Sequence, residues 1–474
     1  AWAALDQLNL HIPLFLLSYA VVFVIYFYLI EFVLHHQREI VEDSSKSFKT
    51  WQGWLSQFTQ NFKKKEIITS KQLLLVGIVF GLLFRVTLLF MQPSLSNDIY
   101  RYMWDGKVAA HNINPYLYPP NAPELSDLRD AKIFPQINHK EIPTIYPPVS
   151  QFLFYTLAKI TSTVTVYKIA FISLDLLTAI VLFLILKNLK LNLSLLLIYL
   201  WNPLLLLEVA GNGHFDTWGI FFLTLVLWFI IKQKWLFSIL FLSFSFLTKY
   251  VTGIFLPVIA WLKKENGLVI ILSFIAIVAT LFLPYASAGN RLFTGLLIYF
   301  DKWRFNDSIF ALILTGVVKI LPNTLVTKWM IEPYNMTPDI QTLMTRKLDL
   351  ALIITKGFIA IIFLILLMVI LKKINSQRTN NSRDIFKYGA ILLAGLFLLS
   401  PTVHPWYLCW LLPFLTISPQ RSWILWTGLV VLSYWVLIDF VQAGLWHETN
   451  WVKWIEYLPV FSVFVFETFG KRNF

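Results

Sequence analysis

Residues 72–91 read QLLLVGIVFGLLFRVTLLFM, and residues 92–106 continue QPSLSNDIYRYMWDG. The first string is a continuous apolar run of about 20 residues, the length a helix needs to cross a bilayer. The second opens a long polar, proline-rich segment, Gln92 to Pro147, that also contains Trp, Tyr and Phe. A loop of that length inside a compact chain is functional or disordered, and its aromatic content argues against disorder. Upstream, His35 to Lys71 carries Arg38, Lys46, Lys49, Lys63, Lys64, Lys65 and Lys71. The positive-inside rule makes that segment cytoplasmic. The run 72–91 therefore emerges on the outer face, and Gln92 to Pro147 is expected to be a large extracytoplasmic loop.

The same pattern recurs over the whole chain. Apolar runs cover His11–Leu34, Val166–Leu186, Leu191–Ala210, Thr217–Ile231, Leu268–Pro284, Asp349–Leu371, Phe386–Leu399, Ser422–Phe440 and Trp454–Phe469, with shorter ones between. Of 474 residues, 57% are hydrophobic and 14% charged, against about 25% charged in a soluble domain. The runs are continuous rather than alternating, which excludes a β-barrel. An all-α polytopic membrane protein of 12 or 13 spans follows, N-terminus out and C-terminus in, as one membrane domain over residues 1–474. Val149 to Ile160 must be a re-entrant or interfacial piece for the loop charges to agree. Residues 285–347 are mixed and expected mostly outside. Trp51, Trp54, Leu55, Phe58 and Phe62, closed by Lys63 to Lys65, read as an amphipathic helix within the cytoplasmic loop 35–71. No cleavable signal pattern is expected ahead of the first span.

The net charge of +13 does not argue for nucleic acid, because the basic residues sit in short loops facing anionic lipid. The single cysteine, Cys409, excludes an intrachain disulfide and a cysteine-based metal cluster.

The topology puts four polar clusters on the outer face. They are Asn97 to Tyr102, Glu208 with Gly211 to Asp216, Asp301 to Asp307, and His404 to Tyr407, with Lys249 close by. An ionisable group at membrane depth costs on the order of 3 kcal/mol and so marks a cavity or pathway. Carboxylates there can take protons from hydroxyls, and Lys or Arg can stabilise a departing phosphate. Trp406 and Tyr407 could stack on a sugar face. Plainer readings stand beside these. Arg101 pairs with Asp98 or Asp105, and His214 with Asp216 forms a loop hydrogen-bond pair. Lys249 snorkels, Arg304 anchors to lipid, and His404 caps a helix.

The ordered strings Asn97-Asp98-Ile99-Tyr100, Asn114-Pro115-Tyr116, Ile145-Tyr146-Pro147-Pro148 and Asp175-Leu176-Leu177 carry a resemblance. It continues through Trp201-Asn202-Pro203, Gly211-Asn212-Gly213-His214, Leu247-Thr248-Lys249-Tyr250, Arg304-Phe305-Asn306 and Trp406 to Pro413. Together they resemble the GT-C superfamily of polyprenyl-phosphate-sugar-dependent glycosyltransferases. The likeness is closest to the mannosyltransferases, including the first mannosyltransferase of glycosylphosphatidylinositol synthesis. The resemblance implies an inverting transfer of a hexose from a polyprenyl-phosphate donor to a lipid or glycan acceptor. It implies no cofactor and no divalent metal, and a site facing outward from a bacterial inner membrane.

It also implies a catalytic aspartate at the start of the first outer loop, here Asp98. Many relatives carry Asp-x-Asp there, and this chain has Tyr100 at the second place, leaving Asp105 as reserve. Arg101, Tyr102, Asp105, Asn212, His214, Asp216, Lys249, Arg304, His404, Trp406 and Tyr407 are the expected substrate contacts. A pentosyl (arabinofuranosyl-type) transferase on the same fold and a multi-span lipid or sugar transporter are the competing readings.

Overall fold

A computed structural model describes residues 7–42, 70–334, 336, 339–376 and 383–470. The expected amphipathic helix at 51–65 lies outside these. The longer helices are α1 (Ile12–Glu42), α2 (Ser70–Leu89), α3 (Asp98–Ala110), α4 (Pro148–Ile160) and α5 (Val164–Asn188). They continue as α6 (Asp216–Ile231), α7 (Trp235–Phe246), α8 (Gly267–Phe282), α9 (Ile309–Ile320), α10 (Ile340–Ser376) and α11 (Arg383–Leu399). The last two are α12 (Arg421–Ala443) and α13 (Asn450–Phe469). The all-α membrane class stands.

Six described helices are long and apolar enough to cross a membrane, or eight if two bent pairs each count as one span. Four shorter apolar helices accompany them. This differs in form from the uniform 12 or 13 spans expected, and the reason is local. The run 193–211 breaks by 45° between Leu200 and Pro203, and 309–334 turns by 95° beyond Ile320. At both breaks a proline interrupts the helix, since it lacks an N–H and crowds the preceding turn. Asn202 makes the first break stable. Its Oδ1 accepts from the N–H groups of Leu204 and Leu205 at 3.1 and 3.2 Å, a helix N-cap. Its Nδ2 donates to Tyr26 and Thr427, tying the break to α1 and α12.

The core gathers α1, α2, α5, α6 and the 197–211 and 405–417 segments around Trp410, Trp426 and Tyr199. A second, smaller cluster joins α9 to α10 through Phe310, Leu314, Val317 and Ala351. Charges inside the spans are compensated. Arg85 of α2 forms a two-point ion pair with Asp175 of α5 and donates to the carbonyls of Gly81 and Leu200 at 2.9 Å. Lys168 of α5 donates to the carbonyls of Leu88, Leu89 and Met91 at 3.0, 2.8 and 2.6 Å. A cation is thus placed on the negative end of the α2 dipole, where the chain turns toward residue 98.

The expected re-entrant or interfacial piece is α4, and it packs on α3. Gly106 is where their backbones meet: a Cβ there would come within 2.3 Å of the Phe154 carbonyl oxygen. Gly106→Ala is expected to push the two helices apart and to cost about 1–3 kcal/mol. Thermal unfolding in detergent checks this, and an unchanged midpoint would show the contact to be slack.

Candidate active site

Asp98 is the first residue of α3, half-buried, with its own N–H donating to Ser96 Oγ at 3.3 Å. Burial pushes its carboxyl above the ordinary aspartate range. The Lys249 ammonium, the Asn138 side chain and His139 pull it back down, and the Asp216 carboxylate pushes it up. These neighbours come from three different parts of the chain, so the expected convergence on Asp98 is present for Lys249 and Asp216.

Asp105, Asp216 and Asp307 are each held by a cation of the protein. Asp105 takes Arg101 Nε at 2.9 Å and Thr144 Oγ1 at 2.5 Å, and Gln151 Nε2 donates to that threonine at 2.7 Å. Arg101 also donates to the Ile142 carbonyl at 3.0 Å. Both are buried, and together they fasten the end of the 92–147 loop to α3. Arg101 therefore pairs with Asp105 and not with Asp98, one of the plainer alternatives.

Asp216 Oδ1 accepts from Lys249 Nζ at 2.7 Å and from Trp410 Nε1 at 2.6 Å, while its Oδ2 lacks a hydrogen-bond partner. Lys249 also lies over the Tyr407 ring at 4.4 Å, and the Tyr407 and Tyr299 hydroxyls are 2.7 Å apart. Asp307 takes Arg304 at 2.7 Å and Lys453 at 2.6 Å. Among the described residues Asp98 has no ion-pair partner, which sets it apart from Asp105, Asp216 and Asp307.

The histidines form a ladder. His214 stacks on Trp406 at 3.9 Å, and Trp406 stacks on His404 at 4.4 Å. His404 then meets Phe305 at 4.9 Å. Trp406 therefore has both ring faces covered, and the expectation that it stacks on a sugar is corrected by this sandwich. Below it lies Glu208, fully buried at a π-helical turn, where Tyr434 donates at 2.8 Å and Asn212 at 3.0 Å. His214 Nε2 is 3.4 Å from Glu208, and its Nδ1 is 3.3 Å from the Tyr102 hydroxyl. The Gly213 turn that delivers His214 has a φ of +74°, open to glycine without strain. Burial lowers both histidines, His404 to about 3, with the Lys249 charge as a further cause. Their rings are neutral hydrogen-bonding groups at physiological pH.

The segment 303–307 reaches both walls. Trp303 touches His139 at 4.5 Å, and Phe305 forms a parallel bridge to Thr402. Asp301 and Lys302, expected in this cluster, are exposed, and Asp301 lies 3.7 Å from Lys356. Tyr299, Glu456 and Lys453 join these walls without having been expected from the sequence. The signal for Glu456 was available, since an acid within an apolar helix is rarely idle.

Residues 51–265 match the model of the alpha-(1->6)-mannopyranosyltransferase family, N-terminal domain. No curated protein and no solved structure matches the chain. The match spans α2 to α7, and hence Asp98, the Arg101–Asp105 clamp, the His214 turn and Lys249. With an all-α membrane fold and this match over the residues of the site, the chain is a glycosyltransferase carrying a mannosyltransferase-family N-terminal domain, in keeping with its resemblance to the GT-C enzymes.

Proposed function

We propose that this chain moves mannose from a polyprenyl-phosphate donor to a lipid or glycan acceptor, inverting the anomeric centre, on the extracytoplasmic side. The observation that carries the reading is the state of Asp98. It is a partly buried carboxylate at a helix N-terminus, raised in proton affinity and without an ion-pair partner among the described residues, while Asp105, Asp216 and Asp307 are each bound to a cation. A base must accept a proton and then release it, and an acid locked in an ion pair is poorly suited to that.

The acceptor hydroxyl gives its proton to Asp98 as its oxygen attacks the anomeric carbon. The bond from that carbon to the phosphate oxygen breaks, and the polyprenyl phosphate leaves with the electron pair. Lys249, a neighbour of Asp98, and Arg304 are assigned to take the growing negative charge. Asp216 Oδ2, Asn212 Oδ1 and the neutral His214 and His404 supply acceptors that suit sugar hydroxyls. The reading assigns no metal or other cofactor. The basic loops at Lys187 to Lys190, Lys232 to Lys234 and Lys263 to Lys264, at the helix ends away from Asp98, support the outward orientation.

The test is incubation of the purified enzyme in lipid vesicles with radiolabelled polyprenyl-phosphate mannose and a membrane-lipid acceptor extract. Labelled product is expected, and its absence with an intact fold would refute the donor assignment. The pH profile gives a second check. The free base is required, so kcat/KM falls as pH drops through the Asp98 pKa. Because burial raises that pKa, the acid limb is expected above the roughly 3.9 of a free aspartate. A limb at or below that value would contradict the assignment of Asp98 as base.

A further inference from the structure

Arg304 stands in a turn held from behind by the C-terminal helix α13, which lies outside the family-matched residues. Asn306 adopts a left-handed φ of +52°. Its Nδ2 donates to both oxygens of Glu456 at 3.1 and 3.0 Å, its N–H donates to Glu448 at 2.8 Å, and its carbonyl accepts from Tyr457 at 2.6 Å. Trp426 donates to the same Glu456 at 2.9 Å. The turn is thereby fixed on its α13 side.

The next residue, Asp307, is almost fully buried and shared by two cations. Arg304 donates through Nε and a terminal nitrogen at 3.1 and 2.7 Å, and Lys453 donates to the other oxygen at 2.6 Å. Lys453 also binds Glu448 at 2.8 Å. The two cations differ in exposure. The Arg304 side chain is 38% exposed, the Asp307 side chain 2% and the Lys453 side chain 20%. Arg304 is therefore the partner that a ligand can draw away.

A buried carboxylate stripped of its only cation is costly, so a lone Asp307–Arg304 pair would resist an incoming anion. With Lys453 in place, Asp307 keeps a partner when Arg304 leaves. We propose that Lys453 is a positioning residue for donor binding: it holds Asp307 so that Arg304 can exchange from that carboxylate to the phosphate of the lipid-linked donor. A guanidinium is suited to such an exchange because its planar fork matches carboxylate and phosphate oxygens alike. This rests on the donor assignment above.

The exchange gives a prediction of sign that a merely structural role does not share. In Lys453→Met, Arg304 is the sole cation on Asp307, and the donor KM is expected to rise about tenfold with kcat within about twofold. Lys453→Arg is expected to restore the KM. In the double variant Lys453→Met/Asp307→Asn the competing carboxylate is neutral, and the KM is expected to return toward wild type. If both substitutions only damaged the turn, their effects would add and the double variant would be worse.

Binding of polyprenyl monophosphate in phosphatidylcholine vesicles, followed by tryptophan fluorescence, provides a readout independent of turnover. The same order of affinities is expected, with Lys453→Met weakest. An enzyme that binds this probe in that order but transfers no mannose would sink the donor sugar and keep the exchange. An affinity unmoved by Lys453→Met, or a double variant weaker than the single, overturns the exchange. Should Lys453→Met fail to fold, Lys453→Gln is measured in its place against the same two outcomes.

Discussion

Asp98→Asn is expected to lower kcat/KM for mannosyl transfer by about 10²–10⁴-fold, the usual contribution of a positioned general base. The loss should fall on kcat, because the amide keeps the shape of the side chain and loses only its ability to accept the proton. The unfolding midpoint should hardly move, since Asp98 has no ion-pair partner among the described residues. Asp98→Glu should retain part of the activity. Full activity in Asp98→Asn would remove it as base, and the two neighbouring acids would be poor substitutes. Asp105 is saturated by Arg101 and Thr144, and Asp216 is held by Lys249 and Trp410.

The second large effect is on stability. Arg85→Met is expected to destabilise the protein by about 3–5 kcal/mol, because it leaves Asp175 charged and buried between α2 and α5. The double variant Arg85→Met/Asp175→Leu removes both charges and should recover most of that loss. Thermal unfolding in detergent distinguishes the two. Equal damage in single and double variants would mean that the cost comes from packing rather than from the stranded carboxylate.

Much of this architecture is legible in the chain. The run 72–91 ends where α2 ends, and the Pro-rich segment after it carries Asp98 at the first residue of a helix. Trp201-Asn202-Pro203 reads as a break, and Asn202 is the cap that the broken span uses. The four-residue spacing of Arg101 and Asp105 already allows the ion pair that forms.

What the sequence conceals is long-range pairing. Nothing local announces that Trp406 sits between His214 and His404, because their adjacency depends on how the 211–216 turn meets the 402–407 segment. Lys168 and Arg85 look like flaws in apolar runs until the carbonyls and carboxylate that receive them are seen. Glu456 and Lys453 belong to a helix that reads as a plain last span, and their partners Asn306 and Asp307 lie 150 and 146 residues earlier. Span counting also misleads where proline and π-helical turns divide a run, since hydropathy registers composition and not backbone direction.

The account stands on distant residues meeting around one donor at the outer rim, with Asp98 placed to receive the acceptor proton. A structure with a non-transferable polyprenyl-phosphate mannose analogue tests this most directly. The anomeric carbon is expected about 5–6 Å from the Asp98 carboxylate, the span of one bridging hydroxyl, with the phosphate against Lys249 and Arg304. A sugar bound with its anomeric carbon more than about 10 Å from Asp98, beyond reach of any single hydroxyl, would contradict it.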